Sequence, residues 1–292
     1  MKLGDNKYIL LLILALVWGS SFILIKNAVA VFTPYQVGGL RLVIAGLSLM
    51  IIGIPALKRL PRKTIQWMLV AGFFGNFMPM FLFPMAQVKV SSSLAGILNS
   101  LVPVFTLIFG YIIFKISHTR LQIIGAILGL IGANLLMYFS NGGGDKQSNF
   151  LYALLIVLAT TAYALSGLIV KAKLNHVKSL ELSAGMFTLW FVPGIVILII
   201  SGFFSDFEST EVQWRGLGYV SILAIVGTAI AMIMFYKLIQ QTTAVFASSV
   251  TYLMPIVAIG WGLLSEESFN LWFVLGGLLI FVGIYLIRER NL

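Results

Sequence analysis

The sequence predicts an all-α membrane protein of ten transmembrane helices, arranged as two inverted five-helix repeats. Three observations lead there: the apolar content, the placement of the positive charges, and a similarity between the two halves. Of the 292 residues, 60% are hydrophobic and only 10% charged, and the mean hydropathy is +1.04. A soluble chain of this size needs far more charge to cover its surface. Apolar runs recur from Tyr8 to Ile287, each long enough to cross a hydrocarbon core of about 30 Å. Only helices and closed barrels satisfy their backbone in that core. The runs are continuous rather than alternating and rich in Leu, Ile and Ala, so helices are expected and a barrel is excluded.

The first run, from Tyr8 to Val31, is too long for a signal-peptide core and lacks a small-residue cleavage pattern, so it reads as the first span. The ten spans fall at about 7–31, 34–54, 64–85, 91–114, 119–139, 149–171, 178–202, 213–237, 243–264 and 269–288. With the N-terminus inside, the inner segments hold Lys2, Lys7, Lys58, Arg59, Arg62, Lys63, Lys115, Arg120, Lys171, Lys173, Lys178, Lys237, Arg288 and Arg290. The outer loops hold only Lys89, Lys146 and Arg215. This bias of 14 against 3 predicts an inner-membrane protein with both termini cytoplasmic. The net charge of +10 is then a topology signal, and no nucleic-acid partner is expected.

The linker-like stretch Ser140–Asn149 lies almost at the centre. On either side the halves align. Trp18–Lys26 (WGSSFILIK) matches Tyr163–Lys171 (YALSGLIVK), and Ser91–Thr106 matches Thr243–Ala258, placing Pro103 on Pro255. Gly125 and Gly132 match Gly276 and Gly283 with the same spacing. The common order and near-constant offset of 145 to 152 residues divide the chain into residues 1–139, a linker at 140–148, and residues 149–292. An odd number of spans per repeat inserts the second copy upside down, the geometry of alternating access around a midplane site.

The order Trp18-Gly19-Ser20-Ser21-Phe22, then Arg41, then prolines in the fourth and ninth spans resembles the drug/metabolite transporter superfamily, and within it the ten-span EamA-type group. The resemblance covers almost the whole chain. It implies a central cavity lined from both halves, for amino acids or other small metabolites moved outward. Nucleotide-sugar and sugar-phosphate carriers are more distant relatives.

Polar groups at membrane depth mark candidate sites. Arg41 lies roughly 10 Å inside the outer boundary, and no Asp or Glu lies deep in any span to neutralise it, Glu181 falling at the inner end of the seventh. It either donates to helix-end carbonyls or attracts an anionic group of a substrate. Lys26 and Lys171 are repeat equivalents near opposite faces, which either snorkel to water or act as gates. Trp18, Ser21, Asn76, Asn99, Tyr163, Ser166 and Tyr252 are the candidate substrate contacts. Ser20, Ser21 and Ser166 also suit plain helix packing. Pro103 removes the donor for the Asn99 carbonyl, and Pro255 does the same for Thr251; these kinks point to a site or only bend their helices. Trp190 and Trp261 are aromatic candidates for the cavity wall. The Gly125–Gly129 pair suits close packing, within the chain or across a homodimer face.

The two histidines, His118 and His176, fall in connections rather than spans, and Cys is absent. Metalloprotease, paired-carboxylate and Ser–His constellations are therefore missing, and with them an enzyme reading. No Gly-rich phosphate loop is present, so no cofactor is expected. Rings of charge or a filter motif for a channel are also absent. The expected partners are the lipid bilayer and a small-molecule substrate. The competing reading is a flippase for lipids or polyprenyl-linked sugars, or a nucleotide-sugar-like exchanger on the same scaffold.

Overall fold

The computed structural model describes residues 6–90, 92–140, 150–263 and 271–287. Every regular element among them is helical. In chain order these are α1 (Lys7–Val29), α2 (Pro34–Arg59), α3 (Arg62–Gln87), α4 (Ser92–Asn99), α5 (Val102–Ile112) and α6 (Arg120–Ser140). Then follow α7 (Phe150–Lys173), α8 (Ser179–Ile200), the short α9 (Phe203–Asp206), α10 (Glu211–Gln241), α11 (Ala244–Ser248), α12 (Val250–Leu263) and α13 (Leu271–Ile287). Six of them, α1, α2, α3, α7, α8 and α10, are long and apolar enough to cross a membrane, and the apolar parts of α5, α6, α11–α12 and α13 are shorter. The Gly-rich linker segment 141–149 and the charged residues Glu266, Glu267, Arg288 and Arg290 lie outside the described residues.

Helix starts follow from local chemistry. Thr33 and Gln36 form a reciprocal capping box at the head of α2, as Thr210 and Gln213 do at the head of α10. The Gln36 side chain also donates to the Ser201 carbonyl at 3.1 Å, tying the start of α2 to the end of α8. Gly202, at φ 72°, takes the left-handed turn that redirects the chain out of α8 into α9.

Two expected spans are interrupted. The fourth is split into α4 and α5 around Ser100 and Leu101, with Pro103 in the first turn of α5, where its missing N–H is harmless. The ninth is split into α11 and α12 at Ser249, upstream of Pro255, which sits inside α12. At this second break Ser249, not the proline, ends the first piece: its N–H bonds back to Val245 and Phe246, and its carbonyl accepts from Tyr252 N–H.

Two antiparallel crossings organise the bundle. Along α2, Gly39, Gly46 and Gly53 meet Leu198, Phe191 and Ala184 of α8 in turn, so the two helices run in opposite directions at close approach. In the second crossing, Gly125 of α6 abuts Gly283 of α13, and Gly132 abuts Gly276. The Gly129 face is filled by the Tyr252 ring of α12. These glycines are used within the chain, where small residues let backbones approach in lipid. Between the crossings, α1 packs on α10 and α12, while α7 packs on α3, α4 and α5.

A Cβ at Gly132 would lie 2.6 Å from the Gly276 carbonyl oxygen, which is backbone and cannot rotate away. Gly132→Ala is therefore expected to lower the melting midpoint of the purified protein by about 2–10 °C, from an overpacking cost of roughly 1–3 kcal/mol. An unchanged midpoint in a thermal-shift assay would mean that α6 and α13 do not meet at these glycines.

Candidate functional site

The site is built on an irregularity that occurs twice. α3 is π-helical from Phe73 to Phe77, and α10 is π-helical from Ile225 to Ile230. The two turns start 152 residues apart, and each carries a glycine followed by a polar residue: Gly75-Asn76 and Gly227-Thr228. An extra residue in a helical turn widens it and disrupts the regular pairing of its carbonyls. Lipid offers such a carbonyl no donor.

Side chains from elsewhere supply the donors. The Trp18 indole N–H donates to the Gly227 carbonyl at 2.9 Å. The Ser166 hydroxyl donates to the Ala71 carbonyl at 2.8 Å, four residues before Gly75. Thr228 accepts from Arg41 Nη2 at 3.0 Å and donates its own hydroxyl to the Leu223 carbonyl at 2.9 Å. Asn76 accepts from the Tyr236 hydroxyl at 3.3 Å, and its amide group faces Met186 Sδ at 3.8 Å. Arg41 and Met186 are each the eighth residue of their helices, α2 and α8. One residue of this matched pair is a cation and the other a thioether.

Between the two π-helical turns lies a cavity of about 80 Å³. Trp18, Ser21, Arg41, Asn99, Tyr163 and Thr228 supply its polar edges. Aromatic and sulfur-bearing residues in matched pairs supply part of the wall: Phe83 packs on Tyr163 with centroids 6.0 Å apart, Phe235 on Trp18 at 5.1 Å, and Met80 and Met232 also line it. Arg41 is 8% exposed, and its Nε has no partner among the described residues. Asn99, 4% exposed, turns its amide nitrogen to Met254 Sδ at 3.5 Å and leaves Oδ1 unmatched. Among the described residues the cavity thus offers one spare cationic donor and one spare neutral acceptor, and no carboxylate lines it.

Of the residues that the sequence marks as substrate contacts, Trp18, Ser21, Asn99 and Tyr163 line this cavity together with Arg41. Asn76 and Ser166 stand just behind it, fully buried against the α3 turn. Tyr252 points away, its hydroxyl donating to the Ala126 carbonyl of α6 at 2.8 Å, while its neighbour Thr251 lines the wall. Pro103 and Pro255 are buried off the lining. Lys26 and Lys171 lie beyond opposite ends: Lys26 Nζ donates to the Gln87 carbonyl at 3.1 Å, and Lys171 Nζ to the Gln240 carbonyl at 3.3 Å. Each lysine meets the C-terminal end of a π-kinked helix, where a positive charge is favoured. Trp190 packs at a tilt against Phe73 and Phe77 outside the cavity, and the Trp261 side chain lies outside the described residues. His118 sits in the α5–α6 connection, where burial pushes its imidazole below the ordinary range, opposed by the hydrogen bond that it donates to the Leu107 backbone.

Sequence reasoning missed Gly75, Gly227 and Thr228. The signal was present as a Gly-polar pair at the repeat spacing in spans three and eight, but nothing in composition distinguishes a π-helical turn from an α-helical one.

The chain belongs to the EamA-like transporter family, which it matches over residues 6–138 and again over 150–288, and so to the drug/metabolite transporter superfamily. It is 26% identical to the uncharacterized transporter YvbV of Bacillus subtilis, over 97% of this chain and 92% of that one. It is likewise 26% identical to the uncharacterized inner membrane transporter YedA of Escherichia coli, over 90% and 85% of the two chains. An S-adenosylmethionine/S-adenosylhomocysteine transporter of Chlamydia trachomatis is 27% identical, over 90% and 83%. A solved crystal structure shares the fold with a TM-score of 0.73 at 16% identity, covering 96% of this chain and 95% of that chain.

Proposed function

We propose that the protein is a secondary transporter that moves amino acids or related zwitterionic metabolites outward across the inner membrane by alternating access. The observation that carries this reading is the cavity between the two π-helical turns, where Arg41 Nε and Asn99 Oδ1 remain unmatched. A spare guanidinium donor suits a carboxylate, and a spare amide oxygen suits an ammonium or amide donor. S-adenosylmethionine and S-adenosylhomocysteine, the cargo named for the Chlamydia relatives, both carry an amino-acid head group of this kind.

Ten spans in two inverted repeats, 1–139 and 149–292, with both termini cytoplasmic, are the topology that goes with this mechanism. Support comes from the two antiparallel crossings, because α2 and α8, like α6 and α13, are the matched helices of the two halves. Matched helices crossing antiparallel are what a two-fold axis in the membrane plane produces. Lys26 and Lys171, each on a helix end at opposite extremes of the cavity, fit the role of gates.

The flippase alternative calls for a lateral route from lipid into the polar site. A wide apolar groove does lie between α2, α3 and α8, lined by Tyr35, Phe73, Phe77, Phe81, Ile197 and Ile200. It shares no lining residue with the central cavity, from which α3 separates it. This favours a water-soluble cargo.

Proton-driven carriers usually relay through membrane carboxylates or histidines, and neither is among the described residues that line the cavity. Liposomes containing the protein are expected to exchange an identified amino-acid-like substrate down its own gradient with no imposed pH gradient; strict dependence on a pH gradient would overturn this. In the same assay Arg41→Met should weaken substrate binding by roughly 10- to 100-fold, as for loss of a charged hydrogen bond, and Asn99→Ala by about 2- to 10-fold. Folded yield should fall less than transport in both. Undiminished transport by both variants would remove the cavity from the transport path.

A further inference from the structure

The two π-helical turns are equivalent in position but not in how their carbonyls are met. At the turn in α10, the Gly227 carbonyl receives the Trp18 indole. At the turn in α3, the equivalent Gly75 carbonyl receives no side-chain donor among the described residues. The residue matching Trp18 is Tyr163. It lines the same cavity as Gly75, and its hydroxyl makes no hydrogen bond to another described residue.

The surroundings of the two pairs are otherwise matched. Ser21, one turn beyond Trp18, lies over Gly227, and a Cβ on that glycine would be 3.0 Å from its oxygen. Ser166, one turn beyond Tyr163, lies over Gly75 in the same way. Phe235 packs on Trp18 as Phe83 packs on Tyr163. One donor is docked, and its counterpart lines the same cavity as the matching glycine with no bond between them.

We propose that Trp18 and Tyr163 are paired positioning residues that dock alternately. In the conformation described here, Trp18 holds α1 to the α10 turn. In the opposite conformation the Tyr163 hydroxyl donates to the Gly75 carbonyl, holding α7 to the α3 turn, and the Trp18–Gly227 bond is released. Each π-helical turn then serves as the fixed acceptor for one state. This rests on the alternating-access reading above and adds to it the two contacts that set the balance between states.

The chain has no native cysteine, so single cysteines are clean probes. Ile25, near the end of α1, and Ser248, at the end of the first piece after α10, both line the cavity and lie toward its opposite ends. Ile25→Cys and Ser248→Cys are each combined with Trp18→Phe, Tyr163→Phe or both, and labelled with a membrane-impermeant thiol reagent in vesicles of either orientation. The phenylalanine substitutions keep the rings and remove only the donors, and size-exclusion chromatography checks folding. Trp18→Phe is expected to shift the ratio of the two labelling rates by about fivefold, the scale of one hydrogen bond. Tyr163→Phe should shift it by a similar factor in the opposite direction, and the double variant should return close to the parent ratio. Shifts in the same direction, or a ratio that Tyr163→Phe leaves unmoved, overturn the paired docking. If the two rates are anticorrelated on adding substrate while those shifts fail, only the docking falls. If they rise and fall together in every variant, alternating access falls with it.

Discussion

A backbone carbonyl inside a bilayer has to find a donor within the protein, and this constraint accounts for most of the interior. α3 and α10 each contain a π-helical turn, and a widened turn frees carbonyl oxygens that lipid cannot satisfy. Trp18 of α1 answers Gly227, and Ser166 of α7 answers Ala71. In both cases the donor comes from the other side of the central linker. The two halves are thus joined through the same polar atoms that edge the cavity, so a change in the shape of the site is also a change in how the halves meet.

Around that polar centre the scaffold is apolar and close-packed. The α2–α8 and α6–α13 crossings depend on glycines whose added Cβ would strike a facing side chain or carbonyl. Without a hydrophobic drive between helices in lipid, such close approach supplies the van der Waals contact that holds helices together. These crossings leave α1, α3, α7 and α10 to form the walls of the cavity, with α4–α5 and α11–α12 closing it. The matched positions Arg41 and Met186 break the likeness of the two sides. Among the described residues that line the cavity, Arg41 alone carries a charge.

The helical membrane class was legible from hydropathy because an apolar run of span length has few other uses. The likeness of the halves was legible in Trp18–Lys26 against Tyr163–Lys171 and in the glycine spacing of spans five and ten. Trp18, Ser21, Arg41, Asn99 and Tyr163 were picked out because polar atoms at depth are expensive, and they do share one cavity. Tyr252 was picked out by the same rule but faces α6, since its neighbour Thr251 takes the cavity side of α12. Helical phase decides between adjacent residues, and the break at Ser249 shifts that phase in a way no proline announces. The π-helical turns were illegible for a related reason: the residue types of Phe73–Phe77 and Ile225–Ile230 suit an α-helical turn as well as a π-helical one.

The central claim is that the two halves open the cavity to one side at a time, and distances across the two faces test it most directly. Spin-label pairs at Lys89 and Leu151 on one face, and at Gln241 and Asn6 on the other, report the separation of α3 from α7 and of α10 from α1. The account predicts two populations at each face in pulsed electron–electron resonance, with substrate moving the two faces in opposite senses. A single unchanging distance at either face, or both faces widening together, would contradict it.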